Sequence, residues 1–270
     1  MPTAKSGAPH LRGPHSVPRM IWTVNLALLP VLLAQILVLG FSAFRILAVS
    51  SAAGLLAEAA LRQLLGKRQT LYDGTALLSS LLFALFVPPA LASWKVALGA
   101  AFGIIFGKQI FGGLGQNPLN PALAGAAFIY CAFPDSAGSF QNLPGPFAST
   151  LLWSAVLLGG ILLLFTQIVR WEIPLLYLAG YFLFCLALGG DGGQALEWPV
   201  LVSAFFLVTD PVTTPLTRNG QQRFAAAAGI LAPFFSKIFG PFQGVAYSVL
   251  LMNALNPRFD RHVKLAKAKK

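Results

Sequence analysis

The sequence predicts an all-α polytopic membrane protein with ten transmembrane segments in an inverted 5+5 repeat, two of them short broken helices. Three observations carry that expectation. The 270 residues are 56% hydrophobic and only 10% charged, with a mean hydropathy of +0.72, whereas a soluble domain carries about 25% charged residues. The apolar residues fall into ten runs, most of them near the ~20 residues that a helix needs to cross a ~30 Å hydrocarbon core. The basic residues stand at alternate ends of those runs, so the net charge of +11 reads as topology and contact with anionic lipid, and nucleic acid is not a partner.

In chain order, residues 1–19 are a polar tail without a small-residue cleavage site, so the first apolar run reads as a span and not as a removed signal. Segments 20–44 and 46–65 follow, separated by Arg45. A charged link ending in Asp73 precedes a short third segment, 75–87, which stops at Pro88-Pro89. The fourth, 94–110, carries Gly99, Gly103 and Gly107, a spacing that lets helix backbones approach closely. It breaks into a glycine-rich turn and resumes as the fifth, 119–133, with Pro121 in the first turn and Asn120 as cap. After an outer loop, 134–149, come segments 150–169 and 173–188, a GGDGG turn, and a short eighth segment, 198–209. Glu197 opens that segment and Asp210-Pro211 stops it. Segments 223–239 and 243–255 lead to a basic tail, 258–270.

With both termini cytoplasmic, the inner connections hold 16 of the 19 Lys and Arg residues, leaving Arg45, Lys95 and Lys237 outside. Residues 20–133 and 150–257 then align as repeats: Pro88 with Pro211, Ile110-Phe111-Gly112 with Ile238-Phe239-Gly240, and Asp73 with Glu197, each acid opening a short segment. Five segments per half is odd, so the second half enters the membrane from the opposite side. Paired short helices at equivalent positions point to a binding site near the midplane. The plainer alternative is that each is a kinked full span continuing through its prolines.

Asp210, at the end of an apolar run in FLVTDPVTTPLT, is a carboxylate that faces a cavity or a partner, or else caps a helix end at the interface. Lys108 either snorkels or contacts a ligand. Asn117 and Gln116 remain open to a ligand once Asn120 is assigned to capping. Cys131 and Cys185 lie in apolar runs without metal-ligand spacing, and His10, His15 and His262 all lie in the tails. No metal site is expected, nor a nucleophile–base pair, so redox carriage or solute passage is left.

The stretches DGTALLSSLLFALFVPP, FGKQIFGGLGQNPLNPALAGAAF and TDPVTTPLT, in that order, resemble the RnfD/NqrB membrane subunits of Rnf and sodium-pumping NADH:quinone oxidoreductase complexes. The resemblance implies a urea-transporter-like architecture, a bacterial inner membrane, and iron–sulfur and flavoprotein subunits as partners. It also implies a flavin within a redox-driven Na⁺ or H⁺ pump. Members of that family carry a Ser/Thr-Gly-Ala-Thr motif, whose last threonine takes FMN, in the outer loop; here the loop reads PDSAGSFQNLPGPFAST and has no such motif. The expectation is therefore noncovalent FMN or riboflavin, or a quinone, held by Asp210, Thr213, Thr214, Asn117, Asn120 and Lys108 with Gly112 and Gly113 allowing close approach. The rival is a redox-silent channel or transporter on the same scaffold, and a purely structural anchor is the third reading.

Overall fold

A computed structural model describes residues 16–135 and 146–268. The rest, including most of the loop that lacks the flavin-attachment motif, lies outside the described residues. The described chain is helical throughout, without strands. Helix α1 (Val17–Leu39) turns at Gly40 into α2 (Phe41–Leu64), and a 3₁₀ turn, Leu71–Asp73, leads into α3 (Thr75–Leu85). Helix α4 (Ser93–Ile104) runs on as a π-helical turn, Ile105–Gln109, ahead of α5 (Pro121–Ala132). Then come α6 (Pro146–Phe165), α7 (Glu172–Ala187), a 3₁₀ turn over Gly192–Leu196, and α8 (Trp198–Val202), which continues as a second π turn, Ser203–Leu207. Helices α9 (Arg218–Phe239) and α10 (Pro241–Ala268) complete the chain.

Among the described residues, three helices are long and apolar enough to cross a membrane: α1, α2 and Phe147–Phe165 of α6. Four further apolar helices are shorter, among them Thr75–Leu85 and Trp198–Leu207. Both of these stop at their prolines and do not continue through them. The Phe86 N–H closes on Phe83 O at 2.9 Å, ending α3 after 11 residues, a rise of about 16 Å. The Asp210 N–H does the same on Leu207 O at 3.3 Å. Helix α9 starts five residues before the apolar segment at 223 because Thr217 Oγ1 accepts the Gly220 N–H at 3.1 Å, a cap hidden in a polar stretch. Helix α10 likewise runs past 255, through Pro257.

Helix α2 packs on α4 and α4 on α5; α7 packs on α9 and α9 on α10. Helices α1 and α6 join the two sets, as do α5 and α10. The glycine stripe of α4 makes the α4–α5 contact possible. A Cβ at Gly103 would lie 2.3 Å from the Pro121 carbonyl oxygen, and one at Gly125 would lie 2.5 Å from Gly99 O. Each basic residue that the charge asymmetry leaves on the outer face has a structural partner. Arg45 donates to Pro89 O, Leu91 O and Ser93 Oγ at 3.1, 2.9 and 2.8 Å. Lys95 lies over the Phe133 ring at 4.5 Å, and Lys237 donates to Leu188 O at 3.2 Å.

At the start of α7, Glu172 takes a two-pronged bond from Arg218, Nε to Oε1 at 2.7 Å and Nη2 to Oε2 at 2.9 Å, with Gln222 adding a third donor at 3.3 Å. The guanidinium beside it holds the Glu172 carboxyl below the usual carboxylate range. A depressed carboxylate stabilises the fold above its unfolded pKa of about 4.3, and that contribution disappears as pH falls through the lower folded value. Acid melts in detergent should therefore show wild-type stability falling below about pH 4.3, with this part of the acid limb missing in Arg218→Gln. Gly103→Val, which forces α4 off the Pro121 carbonyl, is expected to destabilise by about 3 kcal/mol, measured as a lowered Tm and a smaller monodisperse peak on size exclusion.

Candidate functional site

The helix ends that stop short leave a narrow cleft between the two sets of helices, with a cavity volume of about 40 Å³. Its walls are apolar: Leu78 and Leu82 from α3, Leu163 from α6, and Phe205 and Phe206 from the second π turn. A π turn inserts one extra residue and re-aims the side chains it carries. Here it places two aromatic rings against the glycine pair of α6. Cβ atoms at Gly159 and Gly160 would lie 3.0 Å from the Phe206 ring and 2.5 Å from the Phe205 ring. The first π turn does the same for Lys108, which is 2% exposed and lines the cleft opposite Asn117, Asn120 and Asp210.

Lys108 does not snorkel. Its ammonium lies 2.6 Å from Glu58 Oε2 and 2.5 Å from Thr75 Oγ1. Glu58 has no exposed surface, and its second oxygen takes the Thr70 hydroxyl at 2.6 Å. The Thr75 hydroxyl donates in turn to Asp73 Oδ1 at 2.6 Å, which leaves its lone pairs facing the ammonium. Three elements, α2, α3 and the π turn, are joined by this one cluster. Two of the three lysine N–H groups are used, and the third has no partner among the described residues.

Asp210 is held differently. Oδ1 accepts the Val212 N–H at 3.1 Å; Oδ2 accepts the Thr213 hydroxyl at 2.9 Å and Asn120 Nδ2 at 3.1 Å. No cation pairs with it among the described residues. Thr214 turns its hydroxyl back to Asp210 O at 2.8 Å, so it braces the turn. Asn120 is the α5 cap, its Oδ1 accepting from Ala122 N and Leu123 N at 3.0 and 3.3 Å. Asn117 gives one N–H to Leu119 O at 3.2 Å, but its Oδ1 is buried without a partner among the described residues. A buried acceptor left this way costs roughly 1–3 kcal/mol unless something donates to it.

Of the expected site residues, Lys108, Asn117, Asn120 and Asp210 line the cleft, and Thr213 and Thr214 shape the loop below it. Gly112 and Gly113 are not among the residues lining it. With φ of 117° and 101° they make the turn after α4. Glu58, Phe205, Phe206, Asn253 and Asn256 are additional. The sequence signal for Glu58 was available, since it is the only acid inside any of the ten apolar segments. Asn253 and Asn256 both donate to Thr213 O at 2.9 Å, and nothing local to α10 marks them out.

Removing one partner of a buried pair leaves the other charge uncompensated, at a cost of about 3–5 kcal/mol. Glu58→Gln and Lys108→Met should each lower Tm strongly. The double variant should recover most of the loss, which a thermal double-mutant cycle measures directly.

The family model described as "NQR2, RnfD, RnfE family" matches residues 4–151 and 140–269. Among curated relatives, a subunit of the Na(+)-translocating ferredoxin:NAD(+) oxidoreductase complex of Acetobacterium woodii is 32% identical, over 96% of this chain and 93% of that protein. A subunit of the ion-translocating oxidoreductase complex of Methanosarcina acetivorans is 31% identical, over 93% of this chain and 92% of its own. One from the proton-translocating ferredoxin:NAD(+) oxidoreductase complex of Clostridium ljungdahlii is 28% identical, over 97% and 95%. With matches that run nearly end to end, the chain belongs to the NQR2, RnfD, RnfE family.

Proposed function

We infer that this protein is a membrane subunit of an ion-translocating oxidoreductase complex, and that its central cleft widens to hold a flavin ring noncovalently. The first half of the reading rests on the relatives, each named as one subunit of such a complex. Its partners are then the other subunits, including carriers that deliver and remove electrons. Ten spans as an inverted repeat, with both termini in the cytoplasm of a bacterial cell, is the topology that the charge asymmetry favours. The same order of helix neighbours in the two halves agrees with it.

The observation that carries the flavin is the unpaired Asn117 Oδ1, facing a cleft that also offers a spare Lys108 N–H and the Asp210 carboxylate. A ligand that satisfies Asn117 and Lys108 together presents a donor beside an acceptor on one edge and a flat apolar body to Phe205 and Phe206, while the Asp210 carboxylate keeps the three donors it already has. The carbonyl–NH–carbonyl edge of an isoalloxazine fits that description. An oxidised quinone offers acceptors alone and leaves Asn117 unsatisfied. The bound flavin supplies one-electron and two-electron redox chemistry. The chain's own residues bind and orient its edge, keep water from its face, and hold the Lys108 ammonium in place against Glu58.

The absence of the attachment motif in residues 134–149 favours one second reading, a redox-silent channel or transporter in which the same cleft passes a small solute. Optical spectra before and after acid precipitation separate the two. Yellow protein whose colour passes into the supernatant is the expected result. Riboflavin and FMN should also quench on binding to stripped protein, with Asn117→Ala weakening affinity about tenfold, the loss of one good hydrogen bond. Colourless protein that does not take up either flavin, together with solute flux into proteoliposomes, supports the channel instead.

A further inference from the structure

The two halves differ chemically at one equivalent place. Setting Ile110-Phe111-Gly112 against Ile238-Phe239-Gly240 puts Lys108 opposite Ser236. Asp73, ahead of α3, stands opposite Glu197, ahead of α8. Glu58 lies six residues before the end of α2 at Leu64, and Tyr181 six residues before the end of α7 at Ala187. In the first half, Glu58, Lys108 and Asp73 meet through Thr75, with the ammonium at their centre. In the second half their counterparts also meet. The Tyr181 hydroxyl lies beside Ser236 and within electrostatic reach of Glu197, and all three line a cavity of about 250 Å³.

That cavity has the oxygens but not the ammonium. Glu197 forms no ion pair among the described residues, and burial pushes its carboxyl above the ordinary value. Lys237 lines the rim, but it is exposed and its ammonium donates to Leu188 O at 3.2 Å. Cys185 turns its thiol to Asp191 O and Gln194 Oε1 at 3.3 and 3.1 Å. Tyr181 is 1% exposed yet opens onto the cavity, and Ser236 Oγ is buried without a well-formed hydrogen bond among the described residues.

We propose that this second cavity binds a monovalent cation from the medium, held by the Glu197 carboxylate with the Tyr181 and Ser236 hydroxyl oxygens, where the first half uses the Lys108 ammonium. Hard cations take oxygen ligands, and a single carboxylate matches a single positive charge. A divalent or transition metal is disfavoured, because no group of three or more His, Cys, Asp or Glu able to hold one occurs among the described residues. The inference rests on the repeat for the pairing of positions and is independent of the flavin.

The test is the Tm of the purified protein in detergent as N-methyl-D-glucamine chloride is replaced by NaCl or KCl at constant ionic strength. The expected result is a saturable rise of about 5 °C with one or both salts. Glu197→Gln should abolish it, Tyr181→Phe should weaken the apparent affinity about tenfold, the scale of one lost ligand, and Asp210→Asn should leave it in place. Ser236→Lys, which returns an ammonium to the cavity, should melt higher without added cation and lose the response. It serves as the second readout if Glu197→Gln does not fold. No saturable rise in the wild type, or a rise kept in full by Glu197→Gln or Ser236→Lys, overturns the proposal; so does a rise lost only in Asp210→Asn. Colourless protein that takes up neither flavin yet still shows the Glu197-dependent rise sinks the flavin reading alone.

Discussion

The hydrogen bond from Asn120 to Asp210 is the tie on which the centre of the molecule depends. One asparagine side chain caps α5 with its oxygen and holds the half-buried Asp210 carboxylate with its nitrogen, while its backbone N–H goes to Asn253 Oδ1 at 3.1 Å. The Asp210 turn is gripped from the other side by Asn253 and Asn256, both bonded to Thr213 O. A carboxylate without a counter-ion is tolerable away from water only when donors surround it. Here those donors come from α5, from the turn itself and from a hydroxyl. The same bonds that make a half-buried Asp210 tolerable therefore fix where α5, α10 and the end of α8 stand, and so set the shape of the cleft.

Glu58 and Asp210 solve the same physical problem in opposite ways. Glu58 is neutralised by a lysine and so contributes little net field to the cleft, whereas Asp210 has no cationic partner among the described residues and is surrounded by hydrogen-bond donors. The cleft thus carries an N–H donor, Lys108, and a carboxyl acceptor, Asp210, among its lining residues. Its aromatic walls lower the local dielectric, which strengthens the hydrogen bonds of both.

Much of the scaffold was legible because hydropathy and proline report on it directly. The two short segments, the Asn120 cap and the packing role of Gly99, Gly103 and Gly107 follow from residue type and spacing alone. The π turns were not legible. An extra residue in a helix leaves apolar composition unchanged, so nothing in the 105–109 or 203–207 stretches announces that Lys108 or Phe206 swings inward. Nor does composition separate a glycine that gives a ligand room from one that makes a turn, which is why Gly112 and Gly113 fall outside the cleft while Gly159 and Gly160 sit behind its aromatic wall. The Glu58–Lys108 contact spans 50 positions, and pairing at that distance is a tertiary fact.

That separation has a consequence for how the chain is made. A lone carboxylate or ammonium near the centre of a membrane helix costs about 2.5–3.5 kcal/mol when the helix is released into lipid. Helix α2 carries Glu58 out of the ribosome first, and Lys108 follows 50 residues later. At 5–20 residues per second that is a delay of about 3–10 s. During it α2 has no partner for its acid, and its transfer into lipid alone is less favourable by up to that amount; the ion pair that removes the cost forms only once the end of α4 is made.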